Sequence, residues 1–139
     1  KKKFEFLEHT ADIKFRAFGK TLELVFKNCA LAVGKAMYDG KVKERGRKKI
    51  KINGKDLENL LYNFLDEIVY LFDAVNFLIG DMKNVKIIEN KEGFLLNAEI
   101  IGDNSMNYEI REHIKSVTYY EMFVRCENGI WIAQVVLDV

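Results

Sequence analysis

The fold is decided by residues 114–139, IKSVTYYEMFVRCENGIWIAQVVLDV. Two alternating apolar runs, 114–126 and 130–139, meet at Asn128-Gly129. An Asn-Gly pair between such runs is the strongest short-range hairpin signal. The tight turn that matches strand twist needs positive φ at both central residues, and these two residue types accept it most readily. The last third of the chain therefore reads as two antiparallel strands.

Working upstream, Asn90-Lys91-Glu92-Gly93 joins another pair of strands, the first carrying Val85, Ile87 and Ile88 and the second running over 94–101. Before them Leu57, Leu60, Leu61, Phe64, Leu65, Ile68, Leu71 and Phe72 recur at helical spacing behind Asp56, a capping residue. This broad stripe predicts the central helix of the fold. Asn53-Gly54 reads as a turn, preceded by a strand through Lys48, Ile50 and Ile52 and by a basic loop over 41–49. A first helix is predicted from Leu22, Val25, Phe26, Cys29, Ala32, Val33 and Ala36, capped by Thr21 and ending before Asp39-Gly40. Residues 4–8 and 12–18 read as two short strands, with Ile13, Phe15 and Ala17 on one face and Lys14 and Arg16 on the other. The order strand, strand, helix, strand, helix, strands indicates an α+β fold with a mostly antiparallel sheet and two main amphipathic helices. No low-complexity segment or long linker interrupts it, so residues 1–139 are expected to form a single domain.

Composition narrows the function classes. With 49% hydrophobic and 31% charged residues the chain is globular in character. No apolar run approaches the length of a bilayer span, and Lys1-Lys2-Lys3 leads into a strand pattern rather than a signal sequence. The 22 basic and 21 acidic residues leave a net charge of +1, which does not hold nucleic acid by bulk electrostatics. The basic stretch through Lys41, Lys43, Arg45, Arg47, Lys48, Lys49 and Lys51 has no interleaved aromatic residue for base stacking and reads as a solvated loop and strand face. Cys29 and Cys126 show no Cys-x-x-Cys spacing, which argues against a zinc site and suits a reduced cytosolic compartment; both sit on apolar faces and are expected in the core.

Three places carry residues with chemical capacity. His9-Thr10-Ala11-Asp12 lies where the first two strands connect. By spacing alone it is a turn in which Thr10 and Asp12 bond nearby backbone. Asp138 ends the last apolar strand one residue before Val139, which by itself reads as a solvated end concentrating negative charge. Lys115 opens the final hairpin, either as a surface lysine or as a cation that offsets nearby carboxylates. There is no P-loop, dinucleotide fingerprint, Gly-x-Ser-x-Gly or His-Glu-x-x-His, so no autonomous enzyme is visible.

The order of these pieces is more specific than any one of them. Phe6-Leu7-Glu8-His9-Thr10-Ala11-Asp12-Ile13 is followed by Gly-x-Thr-Leu-Glu-Leu-x-Phe-x-x-Cys-Ala at 19–30 and by Asp56-Leu57-Glu58-x-Leu60-Leu61-Tyr62-x-Phe64-Leu65-Asp66-Glu67. Ile114-Lys115-x-Val117-Thr118-Tyr119, Trp131 and Leu137-Asp138-Val139 complete the series. Across essentially the whole chain this pattern resembles the archease family. One position departs from it: archeases often have His after the Thr-Tyr pair, where this chain has Tyr120.

The resemblance implies a strand-helix-strand-strand module elaborated by an inserted second unit. It also implies a non-catalytic, cytoplasmic cofactor of the tRNA-splicing RNA ligase, which meets RNA only indirectly. Such a cofactor promotes guanylylation of the ligase, supports repeated joining of 3′-phosphate or cyclic-phosphate ends to 5′-hydroxyl ends, and widens nucleotide triphosphate use. The family's divalent cation, calcium by expectation, falls by position on Asp12, Asp138 and Val139, with His9 and Lys115 in support. Two other classes stay open: a small metal-dependent phosphoesterase, with His9 as acid or base, and an RNA-binding or chaperone-like adaptor using residues 41–51.

Overall fold

A computed structural model describes residues 2–139, so Lys1 lies outside the described residues. Its elements are β1 (Phe4–Leu7), β2 (Ile13–Gly19), α1 (Leu22–Met37), β3 (Gly46–Gly54), α2 (Leu57–Val75), β4 (Phe77–Asn90), β5 (Gly93–Asn104), a short 3-10 turn, β6 (Ser116–Glu127) and β7 (Ile130–Asp138). The strands form two sheets, ordered β1-β2-β7-β6 and β3-β5-β4, with every pairing antiparallel. The fold is α+β as expected, with two sheets in place of one.

The sheet orders expose an internal repeat. In sequence, β3-α2-β4-β5 is strand, helix, strand, strand, and its third strand pairs between the other two. β2-α1-β6-β7 has the same order and the same central third strand, with the first unit inserted after its helix. This is the elaborated module implied by the resemblance. The two units are packed together, since α1 lies against both β2 and β4 and α2 against both β3 and β6.

Both helices start where local chemistry dictates. The Thr21 hydroxyl accepts from the Leu24 N–H at 3.1 Å, and the Asp56 carboxylate accepts from the Asn59 N–H at 2.8 Å. Each cap is worth about 1 kcal/mol. Burial is shared more evenly than the expectation of a central second helix. Val25, Phe26, Cys29, Ala30, Ala32 and Val33 of α1 are as inaccessible as Leu60, Leu61, Phe64 and Leu65 of α2. Phe26 and Phe64 meet across the helices with ring centroids 5.8 Å apart. Phe15, Ala17, Ala133, Val135 and Leu137 close the core from the first sheet, and Leu78, Met82, Leu96 and Ile100 close it from the second.

Two expectations need correction. Cys29 is buried, but Cys126 is exposed, because it lies two residues before the Asn128-Gly129 turn, where the hairpin end meets solvent. The fourth strand starts at Phe77, well before Val85. Asn76 ends α2 in the left-handed conformation (φ 57°, ψ 39°), and the chain turns straight into the strand with no loop to mark the boundary.

Candidate functional site

The predicted residues gather at one end of the first sheet. β1 and β2 are joined by residues 8–12, and the β2–β7 ladder begins with Ile13 opposite Leu137. Asp12 lies in the bend immediately before Ile13, and Asp138 directly follows Leu137, so the two residues flank the last pair of that ladder. Strand pairing thus brings the neighbours of residues 126 positions apart in the chain to one end of the sheet. On the other side of β7, Ser116 pairs with Asp138, and the Lys115 N–H donates to the Asp138 carbonyl at 2.8 Å. Lys115 therefore anchors the end of β7 through its backbone, while its exposed ammonium makes no ion pair among the described residues.

His9 comes to the same place. Its Nδ1 lies 3.6 Å from Asp12 Oδ2, beyond hydrogen-bond length, and is buried with no hydrogen-bond partner. The His9 ring meets Tyr120 edge-on at 6.2 Å, so the residue that departs from the family pattern packs directly on this histidine.

Behind His9 stand residues that sequence reasoning missed. Lys14 Nζ donates to Glu121 Oε1 at 2.9 Å, and this bond, aided by the nearby His9 and the Tyr120 hydroxyl, holds the Glu121 carboxyl below the usual carboxylate range. Glu121 reaches this position because β6 loses register with β7 between Thr118 and Phe123 and takes a positive φ of 55° at residue 121. The Gln134 side chain fills the irregularity, its Nε2 donating to the Glu121 carbonyl at 2.8 Å. A glutamate in a run of strand formers carries no sequence signal for a bulge. On the other side of Asp12 an open cleft of about 420 Å³ is lined by Lys14, Lys35, Asp39, Arg111 and Glu112. Arg111 is tied there by its N–H to the Met37 carbonyl (2.8 Å) and by its guanidinium to Asp39 (3.7 Å).

The donor chemistry fits a hard cation in part. Two carboxylates at one end of a sheet repel if they approach without a proton or a cation between them, and no Lys or Arg pairs with either Asp12 or Asp138 among the described residues. Main-chain oxygen at Val139 adds a third possible donor. Calcium takes roughly six to eight oxygens, so water would have to supply the remainder. Among the described residues no three His, Cys, Asp or Glu side chains are gathered as a metal cluster.

Comparison with known proteins identifies the family. Residues 4–139 match the model of the Archease protein family (MTH1598/TM1083). The chain is 38% identical over 143 residues to protein archease of Pyrococcus furiosus and 37% identical over 141 residues to that of Thermococcus kodakarensis, covering 99% of each chain in both cases. Its fold is similar to the solution structure of protein 1598 of Methanobacterium thermoautotrophicum, with a TM-score of 0.84 at 36% identity and 99% coverage of both chains. It also resembles the crystal structure of a Thermotoga maritima archease described as a possible chaperone. There the TM-score is 0.61 at 17% identity, over 96% of this chain and 94% of that one, a likeness of fold alone. Family model, relatives and fold agree, and the chain belongs to the archease family.

Proposed function

We propose that this protein is a non-catalytic cofactor of the tRNA-splicing RNA ligase. It would promote guanylylation of the ligase and multiple-turnover joining of 3′-phosphate or cyclic-phosphate ends to 5′-hydroxyl ends, and broaden the nucleotide triphosphates used. The observation that supports the reading is that an archease chain pairs Ile13 with Leu137, so that Asp12 and Asp138, from opposite ends of the sequence, lie next to that pair at one end of the first sheet. Asp12, Asp138 and main-chain oxygen at Val139 would hold a divalent cation, calcium by expectation. When bound, that ion offsets the two carboxylates and supplies positive charge that a partner's nucleotide phosphates can approach.

The chain's own residues shape how this end meets a partner. The Lys115 amide fixes the β7 terminus, so Asp138 is presented from a paired strand rather than a loose tail. His9 backs Asp12 and is itself backed by Tyr120, which limits the rotamers open to the carboxylate. Positioning of this kind, more than new acid or base groups, is what an activator contributes to another enzyme's chemistry. None of the described helices is long and apolar enough to cross a membrane, and action in the cytoplasm is part of the proposal.

The test is ligation with ligase substoichiometric to RNA. With this protein present, product should accumulate well beyond the amount of ligase. Asp12→Ala and Asp138→Ala should each remove the stimulation while the variants stay folded. Ligation that stops after a single turnover with the wild-type protein present would overturn the reading.

A further inference from the structure

We infer that the outward face of the second sheet is a binding surface for the phosphate backbone of RNA. Ile50 and Ile52 of β3, Leu96, Ala98 and Ile100 of β5 and Met82 of β4 turn inward and are buried. The alternate residues therefore face out. Register places Lys49 opposite Glu99 and Glu99 opposite Lys83, while Lys51 lies opposite Asn97 and Asn97 opposite Lys86. Arg47 completes the β3 row. Two rows of exposed cations thus flank a polar central strand.

The spacing of the rows suits a linear polyanion. Residues two apart on a strand lie about 6.6 Å from one another, and β3 and β4 lie about 9.6 Å apart across β5. The first interval is comparable with that between successive phosphates of a nucleic-acid strand. Arg47 and Asn84 hold the Glu99 carboxyl below the usual range, so Glu99 is ionised and its charge is taken up by Arg47, which leaves the lysines as the free cations of the face. Lys83 has a long contact with Glu44 at 3.8 Å, whereas Lys49, Lys51 and Lys86 have no ion-pair partner among the described residues.

The chemistry of the face favours a nucleic-acid backbone over an acidic protein surface. Protein interfaces need an apolar, often aromatic, desolvated centre. Here the outward row offers buried Ile101 opposite Arg47, half-buried Leu95 and exposed Ile88 near the hairpin end, with no aromatic side chain. Without aromatics there is no base stacking, so binding should be indifferent to sequence and dominated by counterion release. The net charge of +1 hides the face because its charges are balanced elsewhere on the molecule. The basic run of β3 by itself reads as a solvated strand; pairing through β5 adds the β4 lysines, which lie more than thirty residues away in sequence. This inference does not rest on ligase activation.

The experiment is fluorescence-anisotropy titration of a short labelled single-stranded RNA with the isolated protein over a range of salt. Neutralising three or four phosphates gives a log K against log salt slope of about −2 to −3, a roughly twentyfold to sixtyfold loss between 50 and 200 mM. Lys49→Ala with Lys86→Ala should cut the slope by about 1.4 units. Lys2→Ala with Lys20→Ala, both exposed and off this face, should leave it unchanged. Circular dichroism establishes that each variant is folded, and Lys51→Gln with Lys83→Gln repeats the test at independent positions. The same titration of labelled poly-glutamate separates the other class of partner. Absence of salt-sensitive RNA binding, equal loss in both pairs of Ala variants, or tight binding of poly-glutamate without RNA binding would each overturn the assignment.

Discussion

His9 Nδ1 stands 3.6 Å from Asp12 Oδ2, close enough to sense the carboxylate and too far to hydrogen-bond it. With no Lys or Arg paired to it among the described residues, this leaves Asp12 available to a cation. Calcium should therefore raise the thermal midpoint of the wild-type protein, by linkage worth about 2.7 kcal/mol at a hundredfold excess over Kd. Asp12→Asn and Asp138→Asn should lose that increment, yet differ from wild type by no more than about 0.5 kcal/mol without metal, since both side chains are only partly buried. Differential scanning calorimetry with calcium and with a chelator reads both effects. Equal calcium stabilisation of wild type and variants would move the site elsewhere.

The helix–helix contact should dominate stability. Phe64 is fully buried against Phe26, and Phe64→Ala is expected to cost about 3–5 kcal/mol in urea unfolding. A loss under about 1 kcal/mol would mean that the two helices do not share one core.

The buried Asp103 gives a pH signature. Its carboxylate accepts from the Tyr108 hydroxyl at 2.7 Å and from the Asn104 N–H at 2.8 Å, and these bonds, the tyrosine first, hold its pKa below the ordinary 3.8. A carboxyl lowered on folding stabilises the protein above its unfolded pKa and loses that contribution as pH falls through the folded value. Tyr108→Phe also leaves the Lys43 N–H without its acceptor, so it should cost about 1–3 kcal/mol at neutral pH. The gap to wild type should narrow as pH falls below about 4. A gap that stays constant through the acid range would show that Asp103 is not the linked group.

Two glycines separate backbone conformation from crowding. Gly129 has φ +79°, and a Cβ there would meet nothing within 4 Å, so Gly129→Ala should cost only the left-handed penalty of about 1–2 kcal/mol. At Gly102 a Cβ would fall 1.9 Å from the Leu78 carbonyl oxygen, where β4 and β5 pack closely, so Gly102→Ala should cost clearly more. Chemical denaturation of the two variants ranks them; the reverse order would contradict the pairing of β4 with β5.

Cysteine labelling checks a point on which sequence and structure differ. Burial pushes the Cys29 thiol up, and Cys126 is exposed, so an aromatic disulfide reagent should label one thiol in the native protein and two after unfolding.

The elements with strong local chemistry were legible from the sequence: the Asn128-Gly129 turn, the Thr21 and Asp56 caps and the apolar stripe of α2 all appear where their residues require. What escaped depends on partners far along the chain. Periodicity cannot tell that β7 pairs between β2 and β6, so it cannot bring the ends of the chain at Ile13 and Leu137 together. Glu121 and Lys14 were invisible because a bulge at residues 119–122 has no residue signature. Cys126 shares the alternation of buried Val124, but alternation does not say where a hairpin outruns its core.

The most direct measurement is transfer of labelled GMP from GTP to the tRNA-splicing RNA ligase, with wild-type protein and with the Asp12→Asn/Asp138→Asn variant. Wild type should accelerate ligase guanylylation and co-purify with the ligase, while the folded double variant should give the rate of ligase alone. Equal acceleration by both proteins, or none by wild type, would contradict a role for the paired aspartates in ligase activation.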